Sequence, residues 1–347
     1  MKLKLDNQYP VKEGRFNKCT ILFLLNFSIE LKKEEDKGMK ILHYALGFPP
    51  YRTGGLTKFC MDIMQQQKQL GHDIALMWPG QIKLYNKSVQ IKHKEDNSGI
   101  TSFEIINPLP ISYDEGITRI EAFKAECNKK AFVDFLKNYQ PDKIHIHSLM
   151  GLHREFVEVA NSLGIRIVFS VHDFFTVCPK VTMFHKGAVC ETAKDCLDCA
   201  QCNLTALSIM KIMILQSPMY RTFKDSILVK KLRKNHRDQY LSGKSGEEVE
   251  YVNCVSRTAS DYKNLREYYG SMVSMMDTVH YNSTVTKTVF ERFFTVKNSQ
   301  VISITHADIR DNRRIKEFTH SLRMTYLGPQ GGAKGFFYSR RLLMNYG

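Results

Sequence analysis

Leu327-Gly328-Pro329-Gln330-Gly331-Gly332-Ala333-Lys334-Gly335-Phe336-Phe337 reads as a strand end, a glycine-rich loop, a lysine and a helix start. Small residues let backbone N–H groups approach an anion, and a lysine beside a helix N-terminus adds positive charge. That is the chemistry of holding a phosphate, and Gly331, Gly332 and Lys334 are the groups that would hold it. A second glycine pair, Gly54-Gly55, follows an apolar run at 39–48. A glycine pair alone also reads as a plain tight turn. His172 and Asp173 close the apolar run 165–171, and His147 closes the run 143–147. In open parallel sheets ligands bind at the C-terminal strand ends. That position favours a role for His172 and, less strongly, for His147. The bland alternative for a loop histidine is a structural hydrogen bond.

Five cysteines fall close together: Cys178, Cys190, Cys196, Cys199 and Cys202. The C-x-x-C pair Cys196 and Cys199 has zinc-ligand spacing, and Cys178 and Cys190 would complete four tetrahedral thiolates. Such a site leaves no open position, so its role would be structural. Cys196-x-x-Cys199-x-x-Cys202 also fits part of an iron–sulfur pattern, but Ala206 stands where the fourth cysteine would fall. The third reading is a loop of unliganded thiols. Cys60, Cys127 and Cys254 sit in apolar patterns and read as core.

These residues need a scaffold, and the pattern supplies an α/β one. After the strand at 39–48, apolar residues Leu56, Phe59, Cys60, Ile63, Met64 and Leu70 keep helical spacing, and 74–78 is the next strand. A helix over 122–139, a strand at 143–147, a helix over 156–163 capped by Gly164 and a strand at 165–171 continue the alternation. Further on, 252–256 reads as a short strand and 260–269 as a helix. Residues 278–283 read as a strand, Ser283 and Thr284 as N-caps of a helix reaching Phe294, and 301–304 as a last strand. There is no internal repeat.

The order and spacing of several pieces resemble the family 4 glycosyltransferases. They are Tyr51-Arg52-Thr53-Gly54-Gly55, Val171-His172-Asp173-Phe174-Phe175, Ile304-Thr305-His306 with Asp311-Asn312-Arg313, and Tyr326-Leu327-Gly328-Pro329 with Lys334-Gly335-Phe336. The resemblance spans roughly residues 39 to 340. It implies the GT-B fold, two Rossmann-like domains facing across a cleft, and transfer of a sugar from a nucleotide-sugar donor to an acceptor hydroxyl with retention of configuration. It makes His172 the catalytic-site histidine that contacts the reacting sugar or acceptor, with His147 and Asp173 on the acceptor or substrate side. Gly54, Gly55, Gly331, Gly332 and Lys334 would face the donor phosphates. Many members have Gly-Arg where this chain has Gly328-Pro329. In the family, two glutamates eight positions apart grip the donor sugar and ribose, in a part beyond this sequence.

The expected organisation is therefore an extension at 1–38, an N-terminal acceptor-side domain at 39–300 and a crossover with the start of a nucleotide-sugar-binding domain at 301–347. The first domain would carry a cysteine-rich loop at 178–202 and a basic helical insertion at 205–245. With only the first βα fragment of its second domain, the chain is expected to bind nucleotide sugars weakly or not at all and not to turn over alone. Lys32-Lys33-Glu34-Glu35-Asp36-Lys37-Gly38 before Met39 has the codon bias of a translated ribosome-binding site, so Met39 is one candidate start; an ordinary extension is the other.

With 43% hydrophobic residues among 347, the chain has material for a core. The apolar run 19–27 is too short to span a bilayer and lacks a cleavage site after it, so the expected compartment is the reducing cytoplasm. The net charge is +15, and basic residues collect between Arg221 and Arg237, with Lys224, Lys230, Lys231, Arg233 and Lys234 between them, behind the apolar stretch 207–215. This suits an anionic membrane surface, as a peripheral contact on the inner face of the cell membrane; a core helix with a solvated basic face is the even alternative. No nucleic-acid-binding motif is present, so no nucleic acid is expected as partner. The implied partners are a nucleotide sugar and a glycan or lipid-linked acceptor, in bacterial surface polysaccharide or glycolipid synthesis. The non-enzymatic alternative is a basic, metal-stabilised module that binds membrane or acceptor without turnover.

Overall fold

The computed structural model describes residues 38–49, 52–83, 85–112, 116–185, 188–190, 194–204, 206–223, 226–227, 229–231, 235 and 258–307. The extension 1–37, the strand at 252–256 and the expected phosphate loop with Gly331, Gly332 and Lys334 lie outside the described residues.

An eight-stranded sheet organises the rest. Its strands are β1 (Lys40–Tyr44), β2 (Asp73–Pro79), β3 (Gln90–Asn97), β4 (Ile100–Ile106), β5 (Lys143–Ile146), β6 (Arg166–Val171), β9 (Thr278–Tyr281) and β10 (Ser299–Val301). The order is β10-β9-β6-β5-β1-β2-β4-β3. Every pairing is parallel except that of β3 with β4. Parallel neighbours need crossover connections, and helices supply them. They are α1 (Gly55–Gln69), α2 (Lys130–Tyr139), α3 (Arg154–Ser162), α7 (Ala259–Ser274) and α8 (Thr284–Phe290). Between β6 and α7 lie the two-stranded ribbon β7 (Phe184–His185) with β8 (Ala188–Val189), then α4 (Cys199–Cys202), α5 (Ile209–Leu215) and α6 (Pro218–Phe223).

Alternation along the strands divides the core in two. Leu42 and Tyr44 of β1, Ile144 and Ile146 of β5 and Ile167 and Phe169 of β6 face the larger cluster, with α3, α7 and the 3₁₀ turn Ile120–Lys124. Ile41 and Ala45 face the smaller one, under Phe59, Cys60, Ile63 and Met64 of α1. Two tyrosines of α7 bury their rings and donate to backbone carbonyls, Tyr262 to Ile117 at 3.0 Å and Tyr269 to Phe123 at 2.9 Å. A buried hydroxyl with no such acceptor would cost roughly 1–3 kcal/mol.

Three expectations need correction. The helix expected over 122–139 begins only at Lys130. Before it, the Cys127 N–H donates to Glu155 Oε1 at 3.1 Å and the Lys130 N–H to Asn128 Oδ1 at 2.8 Å, so side chains take bonds that a helix would otherwise make. The helix started by Ser283 stops at Phe290 rather than Phe294, although Ser283 caps it as expected, accepting from the Thr286 N–H at 3.1 Å. The last strand is Ser299–Val301; Ile302 adds one more bond to β9, its N–H donating to the Tyr281 carbonyl at 2.7 Å, and packs in the smaller cluster. The hairpin of β3 and β4 has no counterpart in the sequence reading. It turns at Ser98 and Gly99, whose φ values of 54° and 70° are both left-handed, as a tight hairpin requires.

Candidate functional site

Four central strands end side by side, and their C-terminal ends carry histidines. In β1 the alternation that buries Ile41 and Ala45 beneath α1 puts His43 on the same face. His145 pairs with His43 in register across β1 and β5, so it shares that face. His147 follows two residues on, His172 comes directly after β6, and His280 is in β9 opposite Ser170. His43, His145, His147 and His280 are buried.

The side chains form a hydrogen-bonded row. His43 Nε2 lies 2.7 Å from Gln67 Oε1 on α1, and His43 Nδ1 lies 3.0 Å from His147 Nε2. His147 Nδ1 lies 3.3 Å from His172 Nε2. His145 Nε2 is 2.8 Å from Ser170 Oγ, and its ring lies 4.0 Å from that of His147. Phe59 of α1 sets its ring edge-on to His172 at 5.0 Å. Among the described residues, His172 Nδ1 is buried without a hydrogen-bond partner.

Burial decides the charge of this row. Loss of water lowers the pKa of His43, His172 and His280 to about 4. It also lowers His145 and His147 well below the usual value, with the neighbouring histidines adding to the effect. At neutral pH the row is uncharged, and each ring offers one N–H and one lone pair. His43, His145 and His147 each place a ring nitrogen within 4.8 Å of the others, the spacing of a three-histidine metal centre. In this structure His43 and His147 use both ring nitrogens in the bonds above, and His145 uses Nε2 toward Ser170.

The structure brings His172, His147, Gly54 and Gly55 to one edge. Gly54 precedes α1 with φ of +123°, a conformation that L side chains rarely adopt, and a Cβ there or at Gly55 would meet nothing within 4 Å. The start of α1 is thus open, one turn before Phe59 and its contact with His172. Asp173 turns back on its own loop, where Oδ1 accepts from the Phe175 N–H at 3.0 Å.

In the cysteine-rich loop, Cys196 and Cys199 meet. The Cys199 thiol bonds to Cys196 and, with Arg266, lowers the Cys196 pKa to about 7 against the cost of burial. The bond to Cys196 raises Cys199 in turn. Arg266 reaches from α7 to donate to Cys196 Sγ at 3.0 Å, Val177 O at 3.1 Å and Lys194 O at 3.0 Å. Cys178 is pushed up to about 11, chiefly by burial, with smaller contributions from Cys202 and Cys190. Among the described residues, the groups of three with ligand atoms within 4.8 Å are the histidine triad and Cys127, His153 and Glu155. The loop thiols are neighbours without forming such a group.

Sequence reasoning missed His43, Gln67, His145 and His280. Two signals were present: the i, i+2 pair His145 and His147, which must share a face in a strand, and His43 in phase with Ile41 and Ala45. Nothing local marks Gln67.

A mostly parallel sheet with crossover helices and its polar cluster at the C-terminal edge defines a Rossmann-like α/β protein. No protein-family model matches the chain, and no curated protein does. Among solved structures it is similar to the catalytic domain of starch synthase IV from Arabidopsis thaliana bound to ADP and acarbose. There the identity is 16%, covering 40% of this chain and 35% of that one, with a TM-score of 0.24. An E. coli structure described as trehalose-6-phosphate bound with UDP-2-fluoro glucose shows 11% identity, 72% and 41% coverage and a TM-score of 0.30. An α,α-trehalose 6-phosphate synthase from Burkholderia multivorans shows 10%, 78% and 49%, and 0.33. The chain spans less than half the length of each of these proteins. At such scores the fold assignment rests on this chain's own strand order.

Proposed function

We propose that residues 39–300 are the acceptor-side domain of a glycosyltransferase that takes a nucleotide-sugar donor. The observation that carries this reading is His172. Its unpartnered Nδ1 lies at the same sheet edge as the open Gly54-Gly55 helix start, and the resemblance to family 4 glycosyltransferases falls on those same residues. A ring that stays neutral at pH 7 holds a sugar hydroxyl by hydrogen bonding rather than by shuttling protons. Gly54 and Gly55 give a diphosphate close access to backbone N–H groups at the start of α1. His147 acts from behind His172, and Asp173 orders the loop that carries it. The remaining donor contacts fall to Gly331, Gly332 and Lys334. Retention of configuration and a glycan or lipid-linked acceptor follow from the same resemblance.

The test is saturation-transfer NMR of the full chain with UDP-, GDP- and ADP-sugars. Weak binding is expected, with sugar resonances saturated in the wild type and lost in His172→Ala. A panel in which no sugar is saturated, even at millimolar concentration, would refute the proposal.

A contact with an anionic membrane belongs to the same reading. Met210 and Ile214 of α5, Met219 and Phe223 of α6 and Ile227 are exposed side by side in sequence with Lys230 and Lys231. Such a mixture suits a headgroup boundary. Among the described residues no helix is long and apolar enough to cross a membrane. A structural zinc on Cys178, Cys190, Cys196 and Cys199 is proposed from the cysteine spacing alone; in this structure Cys196 meets Cys199, and the four thiols do not gather into a ligand set.

A further inference from the structure

We infer that Gln67, buried on α1, sets the tautomer of His172 through a row of imidazoles, so that His172 presents Nδ1 as an acceptor to its ligand. The consequence for sugar binding rests on the function proposed above; the tautomer does not.

The argument is one of donors and acceptors. A carbonyl oxygen only accepts, so His43 Nε2, 2.7 Å from Gln67 Oε1, carries the proton. Because the ring is neutral, His43 Nδ1 is then a lone pair, and His147 Nε2–H must donate to it across 3.0 Å. His147 Nδ1 is in turn a lone pair, and His172 Nε2–H donates to it across 3.3 Å. One proton remains to be placed on each ring, and each has been placed. His172 Nδ1 is left as an acceptor, buried and without a partner among the described residues. A buried acceptor with no partner is costly, and a ligand hydroxyl relieves that cost. Reversing a single ring would set two lone pairs or two protons against each other. The row therefore reverses only as a whole, and only if the Gln67 amide turns its N–H₂ toward His43. Burial of the row keeps the rings neutral, as the lowered pKa values of His43 and His172 agree. Gln67 is 1% exposed and lies on the helix that Gly54 and Gly55 begin. It thus acts through His43 and His147 as a positioning residue.

Long-range ¹H–¹⁵N correlation of the full-length ¹⁵N-labelled chain at pH 7 reads each tautomer directly, with no substrate present. His172, identified by the signals lost in His172→Gln, should show Nε2–H and an unprotonated Nδ1. A protonated Nδ1 in the wild type would overturn the inference. Gln67→Met removes the carbonyl, and the preference for Nε2–H should fall by roughly tenfold, the worth of one hydrogen bond. Gln67→Glu restores an acceptor and should restore the wild-type pattern. An unchanged tautomer in Gln67→Met, or a reversed one in Gln67→Glu, sinks the idea. If Gln67→Met does not fold, the wild type and Gln67→Glu still decide. The expected tautomers in a chain that binds no sugar would support the row and refute the proposed function.

Discussion

Acidification should unfold this protein in a window set by its buried histidines. His43, His172 and His280 have folded-state pKa values of about 4 because burial penalises their charged form. In the unfolded chain they return to about 6.5. Between these values the unfolded state binds more protons, so stability falls as pH drops through the window and is fully present above it. At pH 5 each such group costs about 2 kcal/mol by linkage. Two to three of them acting independently cost about 4–6 kcal/mol, close to the whole stability of an ordinary domain. Carboxylates do not confuse this range. Glu158, lowered first by its bond from Lys129, loses its contribution only as pH falls below its unfolded value of 4.5. The assay is urea unfolding at several values from pH 7 to pH 5. It can be followed by the fluorescence of Trp78, the single tryptophan, packed edge-on to Phe48 at 5.3 Å. The midpoint should fall steadily, and His280→Asn should remove about 2 kcal/mol of the loss at pH 5, the share of one such group. A midpoint unchanged between pH 7 and pH 5 would show that the row is not buried as neutral imidazole.

Two further outcomes test the surface and the cysteine loop. Purified under reducing conditions, the chain should carry about one zinc per molecule, the content of a single four-thiolate site, and Cys196→Ser should lose it; elemental analysis finding neither zinc nor iron would dispose of the metal. Flotation with anionic liposomes should recover the protein, less so as salt rises and less so for Met219→Ser with Phe223→Ser; equal recovery with neutral vesicles would exclude electrostatic attraction as the cause.

The sequence by itself determined the parallel centre of the sheet, β1, β2, β5, β6 and β9, though not the β3–β4 hairpin at its edge. Runs of β-branched and apolar residues such as Ile41-Leu42 and Ile165–Val171, alternating with helical spacing and punctuated by glycine, admit few other architectures, and they put His147 and His172 at strand ends. Local chemistry also named Ser283 as a cap, because a cap needs only its own next three residues. What sequence could not supply was register. His43 and His145 are 102 positions apart in the numbering, and only the pairing of β1 with β5 makes them neighbours. Gln67 reads as one more polar residue of a helix until the docking of α1 turns it inward to His43. Helix ends escaped for a similar reason: Lys130 begins α2 because Glu155, from another element, takes the Cys127 N–H. The protonation of the site belongs to tertiary structure altogether. A histidine's charge and tautomer depend on which side chains surround it and on the exclusion of water, and neither is written in the residue's neighbours along the chain.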